Sequence, residues 1–309
     1  MLKEKDVVSG EELSKKLGVS RTGIWKNVQH LVSLGYKIEA IPGKGYNLSN
    51  VPDLLYPWEL SLGDIFFDNI YYFKNIESTN KYAANLDPLA LVLAEEQSAG
   101  RGRLSRNWVS NSGGIYCTLV AKPELSLDRL PALSLVVSTA LAETLIDLYD
   151  LDVKIKWPND ILVNDKKMAG ILIEAAGEMD GFKKVIIGIG LNANLELEEF
   201  ASELKSQVTT IKHELLREVN RKELVNKMVK NILETIDLFQ KKPDSVLDRW
   251  SKISATLGKE VVATGLKEGQ IRGRALEIDE QGSLILQGND GQKKRIISGD
   301  VTLCRKKGG

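Results

Sequence analysis

VKIKWPNDILVNDKKMAGILIEAA, residues 153–176, reads as three short strands folded back on one another. VKIKW, ILVN and KMAGILIEAA are rich in β-branched and apolar residues, and turn formers separate them at Pro158–Asp160 and Asn164–Lys166. A turn at Met179–Gly181 then leads into KVIIGIGLNA, a fourth strand. Upstream, IYYF (70–73) and LALVLAEE (89–96) flank a helix that Ser78 or Thr79 caps, and GIYCTLVA is another strand. Leu130, Leu133, Val137, Leu141, Leu145 and Leu148 recur at helical spacing, so residues 129–148 form a long, largely buried helix that serves packing. Residues 220–240 and 244–257 read as helices, the first with Leu224, Met228, Ile232 and Leu233 on one face. The middle of the chain is therefore an α+β domain with a strand-rich centre.

The two ends differ from this middle. Ser9 and Glu12 are spaced as a capping box, with Leu13 and Leu17 one turn apart and a stop at Gly18. Ser20 caps a second helix carrying Ile24, Val28 and Leu31, which Gly35 ends. YKIEAIPGKGYNL then gives two strands around Pro42–Gly45, completing helix, turn, helix, wing. Arg21, Thr22, Lys26, Gln29 and Ser33 face outward, with Lys44 in the wing; amides and hydroxyls read base edges while lysine meets phosphate. Winged helices also dock proteins, and Lys44 taken alone is a solvated turn residue. At the other end GKEVVATG, IRGRALEID, SLILQG, KKRIISG and DVTLCR resemble a small all-strand barrel.

Composition narrows the classes. The 309 residues are 43% hydrophobic, enough for two or three packed domains. Lys+Arg and Asp+Glu both number 42, so any nucleic-acid binding is local; the first 50 residues hold eight basic against five acidic side chains, a net of +3. No apolar run approaches the roughly 20 residues of a membrane span, and MLKEKDVVSG lacks the apolar core of a signal peptide, so a cytoplasmic protein without membrane contact is expected. Cys117 and Cys304 lie in strand-like runs without CxxC spacing, which suits buried free thiols.

Chemistry concentrates in two segments. QSAGRGRLSRNWVSNSGG (97–114) joins two strands; Gly100 and Gly102 admit close backbone approach, and Arg101, Arg103 and Arg106 stand with no acid between Glu96 and Glu124. This is an anion cradle without the GKS/T ending of a Walker loop. A solvated Gly/Arg loop or an RNA contact fits the composition equally well. The second segment is KWPND (156–160), followed after one hairpin by KMAGIL (167–172).

GRGRLSRNW, KWPND, KMAGILIE and GIGLNAN stand in the order and approximate spacing of the biotin protein ligase family, and the chain resembles the bifunctional class of ligase and repressor over nearly its whole length. The resemblance implies a winged helix-turn-helix over 1–50 lacking its usual first helix, a linker over 51–64, a class II synthetase-like mixed sheet with helices over 65–255, and an SH3-like barrel over 256–309. It implies biotin, ATP and Mg²⁺, with biotinyl-AMP formed first and biotin then passed to a lysine of biotin carboxyl carrier protein. Ser78, Thr79, Asn80, Gln97, Arg101, Gly102, Arg103 and Lys167 are expected at biotin, and Arg103, Arg106, Trp108, Asn159, Lys167 and Asn192 at the adenylate. Lys167, Arg103 and Asp160 would be catalytic, with Asp160 a partner for the acceptor amine's proton; the metal ligands are not named. A carboxylate and a phosphate 4 Å apart repel by about 4 kcal/mol at an effective dielectric near 20, so cations must converge where they meet. The same resemblance implies operator DNA as a partner and an adenylate-bound homodimer. Two rivals stay open: a lipoate-type ligase, and a DNA-binding biotin sensor without transfer activity. Ser105 replaces a glycine common in relatives and should stiffen the loop slightly.

Overall fold

Two serines start the first helices. Ser9 Oγ accepts from the Glu12 N–H at 3.0 Å to open α1 (Gly10–Leu17), and Ser20 Oγ accepts from the Gly23 N–H at 3.1 Å to open α2 (Arg21–Ser33). The strands β1 (Lys37–Ile41) and β2 (Gly45–Asn50) pair antiparallel as the wing. Val8, Leu13, Ile24 and Val28 form the core, with Met1, Leu2, Ile38 and Tyr46 against it; Leu17, one turn after Leu13, stays exposed. Among the described residues no helix precedes α1. Val8 enters the core from an extended segment and exchanges two backbone bonds of 2.9 Å with Tyr46. That approach requires glycine at 45, where a Cβ would lie 2.1 Å from the Val8 carbonyl oxygen.

The computed structural model describes residues 1–304 except Lys5, Phe67, Asp68, Met179, Asp180, Lys267 and Glu268, and only the backbone of 176–178, 181–182 and 265–266. The turn expected at Met179–Gly181 and Arg305 of DVTLCR thus fall wholly or largely outside the described residues. Contacts divide the chain into Met1–Leu54 and Leu55–Gly309. Leu55, Leu60 and Leu62 are buried in the core of the second unit, so the stretch expected as a linker is already core from Leu55 onward.

In this unit α3 (Gly63–Phe66), β3 (Ile70–Ile76), α4 (Thr79–Ala83), β4 (Ala90–Gln97), β5 (Ile115–Ala121), α5 (Ala132–Tyr149), β6 (Val153–Lys156), β7 (Asp160–Val163), β8 (Lys166–Glu178) and β9 (Gly181–Leu191) follow in order. The seven strands form one mixed sheet, β3-β4-β5-β9-β8-β7-β6, with only β3 and β4 parallel. Then come α6 (Ser202–Lys205), α7 (Ile211–Leu215), α8 (Arg221–Lys241) and α9 (Pro243–Lys252). The helix expected over 244–257 ends five residues early. There Ile155 donates to the Ile253 carbonyl and Ala255 to the Ile155 carbonyl, so the chain turns into the edge of β6. The short helices α3, α6 and α7 carry too little periodicity for a sequence reading.

Side chains alternate across the sheet with the strand period of two. Leu91, Leu93, Ile115, Cys117, Leu119, Ile187 and Ile189 face the core with α5, whereas Ala90, Val92, Val120 and Ile186 pack with Ala83 of α4 on the opposite face. Helix α5 corrects one expectation: among the described residues it alone is long and apolar enough by composition to cross a membrane. Its apolarity is consumed internally, since most of its residues are buried against α8, α9 and the sheet. Cys117 is buried, which pushes its thiol up to about 12, while Cys304 is only half-buried, against expectation.

The strands β10 (Glu260–Leu266), β11 (Gly269–Ile278), β12 (Leu284–Gln287), β13 (Lys293–Ile296) and β14 (Asp300–Leu303) form an antiparallel sheet ordered β13-β12-β11-β10-β14. Its inward residues, including Val261, Ala275, Leu284 and Leu286, join the main core. Trp157 ties it to the larger sheet, donating its N–H to Thr256 Oγ1 at 2.9 Å and its indole Nε1 to the Gly282 carbonyl at 3.0 Å.

Beneath the Gly/Arg loop lies a buried ion pair. Arg221 Nη1 is 2.9 Å from Glu95 Oε2 and donates to the Gly114 carbonyl at 2.8 Å, and Glu95 Oε1 accepts from the Leu55 N–H at 2.8 Å. Arg221→Met leaves Glu95 charged and unpaired, and is expected to cost about 3–5 kcal/mol in urea unfolding. Adding Glu95→Gln should recover part of that loss; equal destabilisation in both variants would show that the pair is not the cause.

Candidate active site

The cross-strand register builds the site. Lys156 pairs with Asp160, Asp160 with Gly170, Gly170 with Gly190 and Gly190 with Tyr116, so one row runs across five strands on the face away from α5. Two adjacent glycines make its centre a shelf. The Trp108 indole lies over it: a Cβ on Gly190 would fall 2.5 Å from Trp108 Cε2, and one on Gly170 3.0 Å from Cζ3. A bulge in the β7–β8 pairing, where Ile161 faces Ala169 but Leu162 faces Lys167, turns Met168 into the core and Lys167 toward the shelf.

The charges on this shelf are paired. Lys167 Nζ lies 2.5 Å from Asp160 Oδ1 and 5.2 Å from the Trp108 ring centre; Lys156 Nζ lies 2.8 Å from Asp160 Oδ2. Burial alone would raise the Asp160 pKa, but the two ammonium groups outweigh it and hold the carboxyl below its usual range. A carboxylate so held is a poor proton acceptor. In this structure Asp160 bridges Lys167 and Lys156.

The loop between β4 and β5 is clasped at its base. Gln97 donates its N–H to the Ser110 carbonyl at 3.0 Å, Trp108 its N–H to the Gly100 carbonyl at 2.9 Å, and Gln97 Nε2 donates to Ser110 Oγ at 3.0 Å. Gly102 donates to the Arg106 carbonyl at 2.7 Å, and Leu104 and Ser105 at the tip both have positive φ, 53° and 56°. Arg103 Nη2 donates to the Gly299 carbonyl at 3.0 Å, and Arg106 Nη1 lies 2.6 Å from Asp300 Oδ2. Burial lowers the Arg103 pKa, opposed by Asp300 and Asp160. Arg101 is exposed.

Ser78 caps α4, its Oγ accepting from the Lys81 N–H at 3.4 Å. Thr79 donates its N–H and hydroxyl to Gln97 Oε1 at 2.9 and 3.0 Å, so both residues are brought to one pocket. Asn80 joins them, with Nδ2 donating to Glu174 at 2.7 Å. The Asn159 amide donates to the Ile171 carbonyl at 2.6 Å, tying the KWPND turn to β8. Buried Asn192 donates Nδ2 to the Thr209 carbonyl at 3.1 Å, while its Oδ1 and the Trp108 Nε1 have no protein partner. Two orphaned polar atoms beside a cation cluster are what a site built for a polar ligand displays.

Lys156, Thr118, Ser110, Glu174 and Asp300 were not singled out from the sequence. Lys156 was within reach, as the first residue of KWPND. Glu174 ends KMAGILIE and Ser110 lies in the 97–114 loop, so both stood in quoted motifs; Thr118 and Asp300 are ordinary strand residues until distant segments meet.

In the first unit Arg21, Thr22, Lys26, Gln29, Ser33 and Lys44 are all exposed. Ser33 Oγ donates to the His30 carbonyl at 2.7 Å, and Arg21 pairs with Glu11 at 3.0 Å.

Cations gathered on a glycine shelf, with the polar side chains of Thr79, Asn80 and Gln97 on the same sheet, suit an anionic ligand, and a winged helix-turn-helix on the same chain is a nucleic-acid-binding type of module. Comparison with known proteins gives the family. Residues 72–192 match the biotin/lipoate A/B protein ligase family, 1–47 an HTH domain and 256–303 the biotin protein ligase C terminal domain. The bifunctional ligase/repressor BirA of Bacillus subtilis is 33% identical over 96% of this chain and 94% of its own length. That of Escherichia coli is 32% identical over 96% and 92%. The solved biotin protein ligase of Aquifex aeolicus, in complex with biotin and ATP, superposes with a TM-score of 0.68 at 30% identity, covering 78% of this chain and all of the other. The chain belongs to the biotin/lipoate protein ligase family and has the domain content of its bifunctional ligase/repressors.

Gly190→Ala drives a methyl group into the Trp108 indole. The expected outcome is a red shift of tryptophan emission as the ring leaves the shelf, with an ATP KM raised about tenfold or more. An unaltered spectrum and KM would mean that the shelf does not position Trp108.

Proposed function

We propose that this chain joins biotin to ATP as biotinyl-AMP and transfers the biotinyl group to a lysine of biotin carboxyl carrier protein. The observation that carries the reading is Lys167, turned by a β-bulge onto the glycine shelf between Asp160 and Trp108. The biotin carboxylate attacks the α-phosphorus of ATP, a new acyl–phosphate bond forms and pyrophosphate leaves. Lys167 and Arg103 stabilise the charge that grows on the phosphoryl oxygens. In the second step the carrier amine attacks the acyl carbon and AMP leaves.

The site assignments follow from this. Thr79, Asn80, Gln97, Arg101, Gly102 and Ser78 surround biotin; Arg106, Trp108, Asn159 and Asn192 serve the adenylate, with the Asn192 Oδ1 lacking a protein donor in support. Among the described residues no three side chains of ligating type gather for a metal, and Asp160 is held between two lysines. The described residues thus offer no ready-made cage for Mg²⁺, which we assign to ATP as part of the substrate. The hydroxyl and amide groups of Thr79, Thr118, Asn80 and Gln97 suit a polar ureido ring over the apolar dithiolane of lipoate. The five-stranded sheet supports an SH3-like barrel over 256–309; of the expected boundaries we keep the head at 1–50 and the end of the catalytic domain at 255, and shorten the linker expected over 51–64 to 51–54, since Leu55, Leu60 and Leu62 are core. ATP chemistry on a carrier protein fits the cytoplasm.

Incubation with ATP, Mg²⁺, labelled biotin and a carrier domain should label the carrier, with lipoate a poor substitute. Lys167→Ala should slow biotinyl-AMP formation by roughly 100-fold or more without loss of fold. No labelled carrier, or a Lys167→Ala variant of undiminished rate, overturns the reading.

A second role rests on the exposed face of α2. A monomeric winged helix makes few phosphate contacts, and a twofold dimer doubles them on a palindrome, so the adenylate-bound homodimer is the proposed operator-binding form and biotinyl-AMP its corepressor. Sedimentation with and without biotinyl-AMP should show the adenylate shifting monomer to dimer, with operator binding rising in parallel. A monomer fraction indifferent to adenylate leaves the chain a ligase only.

A further inference from the structure

Glu174 lies on β8 four residues beyond Gly170 of the shelf and pairs with Ile186, yet it begins a chain of polar contacts that ends at Gln97. Asn80 Nδ2 donates to Glu174 Oε2 at 2.7 Å, the Thr118 hydroxyl lies 2.7 Å from Asn80 Oδ1, and the same hydroxyl lies 2.8 Å from Thr79 Oγ1. Thr79 donates to Gln97 Oε1 in turn. The Asn80 side chain lies flat on the sheet because residue 188 is glycine, where a Cβ would fall 2.2 Å from Asn80 Oδ1.

Proton counting gives this chain a direction. A carboxylate accepts only, so Asn80 must aim its NH₂ at Glu174 and its carbonyl oxygen at Thr118. Thr118 is fully buried and has one proton, which Asn80 Oδ1 claims. With the Thr118 proton so committed, the single hydroxyl proton of Thr79 is left to serve the contact with Thr118 Oγ1, Gln97 Oε1 keeps the Thr79 N–H, and among the described residues no further group donates to Thr79 Oγ1. Its lone pairs are open to an N–H from a ligand. With a donor at position 174 the order reverses: Asn80 turns its NH₂ inward, Thr118 gives its proton to Thr79 Oγ1, and one of that oxygen's two lone pairs is taken before a ligand arrives.

We propose that Glu174 is a positioning residue that sets the hydrogen-bond polarity of the pocket, keeping Thr79 Oγ1 an acceptor for a ring N–H of the substrate. The inference rests on the reading of the pocket as the site of biotin's ureido ring. It makes an exposed strand residue, remote from the reacting atoms, a determinant of which ring the enzyme accepts.

The test is a double-mutant cycle on the full chain, reading biotin KM, ATP KM and kcat for biotinyl-AMP formation. Glu174→Lys, a donor only, should raise the biotin KM about tenfold; Glu174→Gln, which presents either polarity, should raise it about two- to threefold. The kcat and ATP KM should stay within about twofold of wild type, as expected when a ground-state contact is lost. In a Thr118→Val background the relay is cut, so Glu174→Lys should add nothing further. A Glu174→Lys effect that persists undiminished beside Thr118→Val, or no change in biotin KM at all, overturns the inference while the wild type remains active. A wild type that forms no biotinyl-AMP overturns the underlying reading, and this inference with it.

Discussion

A β-strand presents alternate residues to opposite faces, and in the seven-stranded sheet that alternation separates stability from chemistry. Odd-numbered positions along β9, from Val185 to Leu191, enter the core with α5; even-numbered Gly188 and Gly190 face the other way. The odd positions can therefore be uniformly large and branched without touching the site. The even positions can be stripped to hydrogen at the points where Asn80 and Trp108 must lie flat on the backbone. A one-residue slip would exchange these faces. The bulge beside Lys167 is such a slip, confined to one strand pair, and it moves a lysine onto the site while its neighbour Met168 fills the core.

Bringing two anions together obliges the protein to keep cations close without substrate to neutralise them. Asp160 answers this between Lys156 and Lys167, and Asp300, from a different sheet, answers it for Arg106. The two cases differ in strength. Asp160 is largely buried and its pairs are screened little, whereas Arg106 is mostly exposed and its pair is worth at most about 1 kcal/mol. The Arg106 pair is therefore the more easily broken of the two, while Asp160 and Lys167 are the more firmly held.

The features legible in the sequence were those whose cause is local. Ser9 and Ser20 cap helices within three residues, Leu133 to Leu145 form a stripe on one helix, and the glycines and arginines of 97–114 are adjacent in the chain. KWPND and KMAGIL were visible as a pair of motifs, but not the row that joins them, because Lys156, Asp160, Gly170 and Gly190 meet only through strand register. Arg221 reads as an ordinary helix start until it is found fully buried on Glu95, more than a hundred residues away. Asn159 and Ser78 also tie two strands and cap a helix, work that a sequence motif does not reveal. Glu174 is visible only as the last residue of KMAGILIE and Thr118 only as a strand residue, because their significance lies in which proton goes where.

The loop itself combines a fixed base with a strained tip. Gln97, Gly100, Trp108 and Ser110 are locked to one another by backbone and side-chain hydrogen bonds, and Gly100 has no room for a side chain, its Cβ position being 2.5 Å from Ser110 Oγ. Movement is therefore limited to roughly the segment that bears the arginines. At its tip Leu104 and Ser105 occupy the left-handed region, each at about 1–2 kcal/mol, and Leu104 is exposed and gains no burial in return. The contacts of Gly299 and Asp300 with Arg103 and Arg106 offset part of that strain. The small C-terminal sheet thus contributes to the site not by lining it but by holding the arginine tip in a conformation the loop's own residues disfavour.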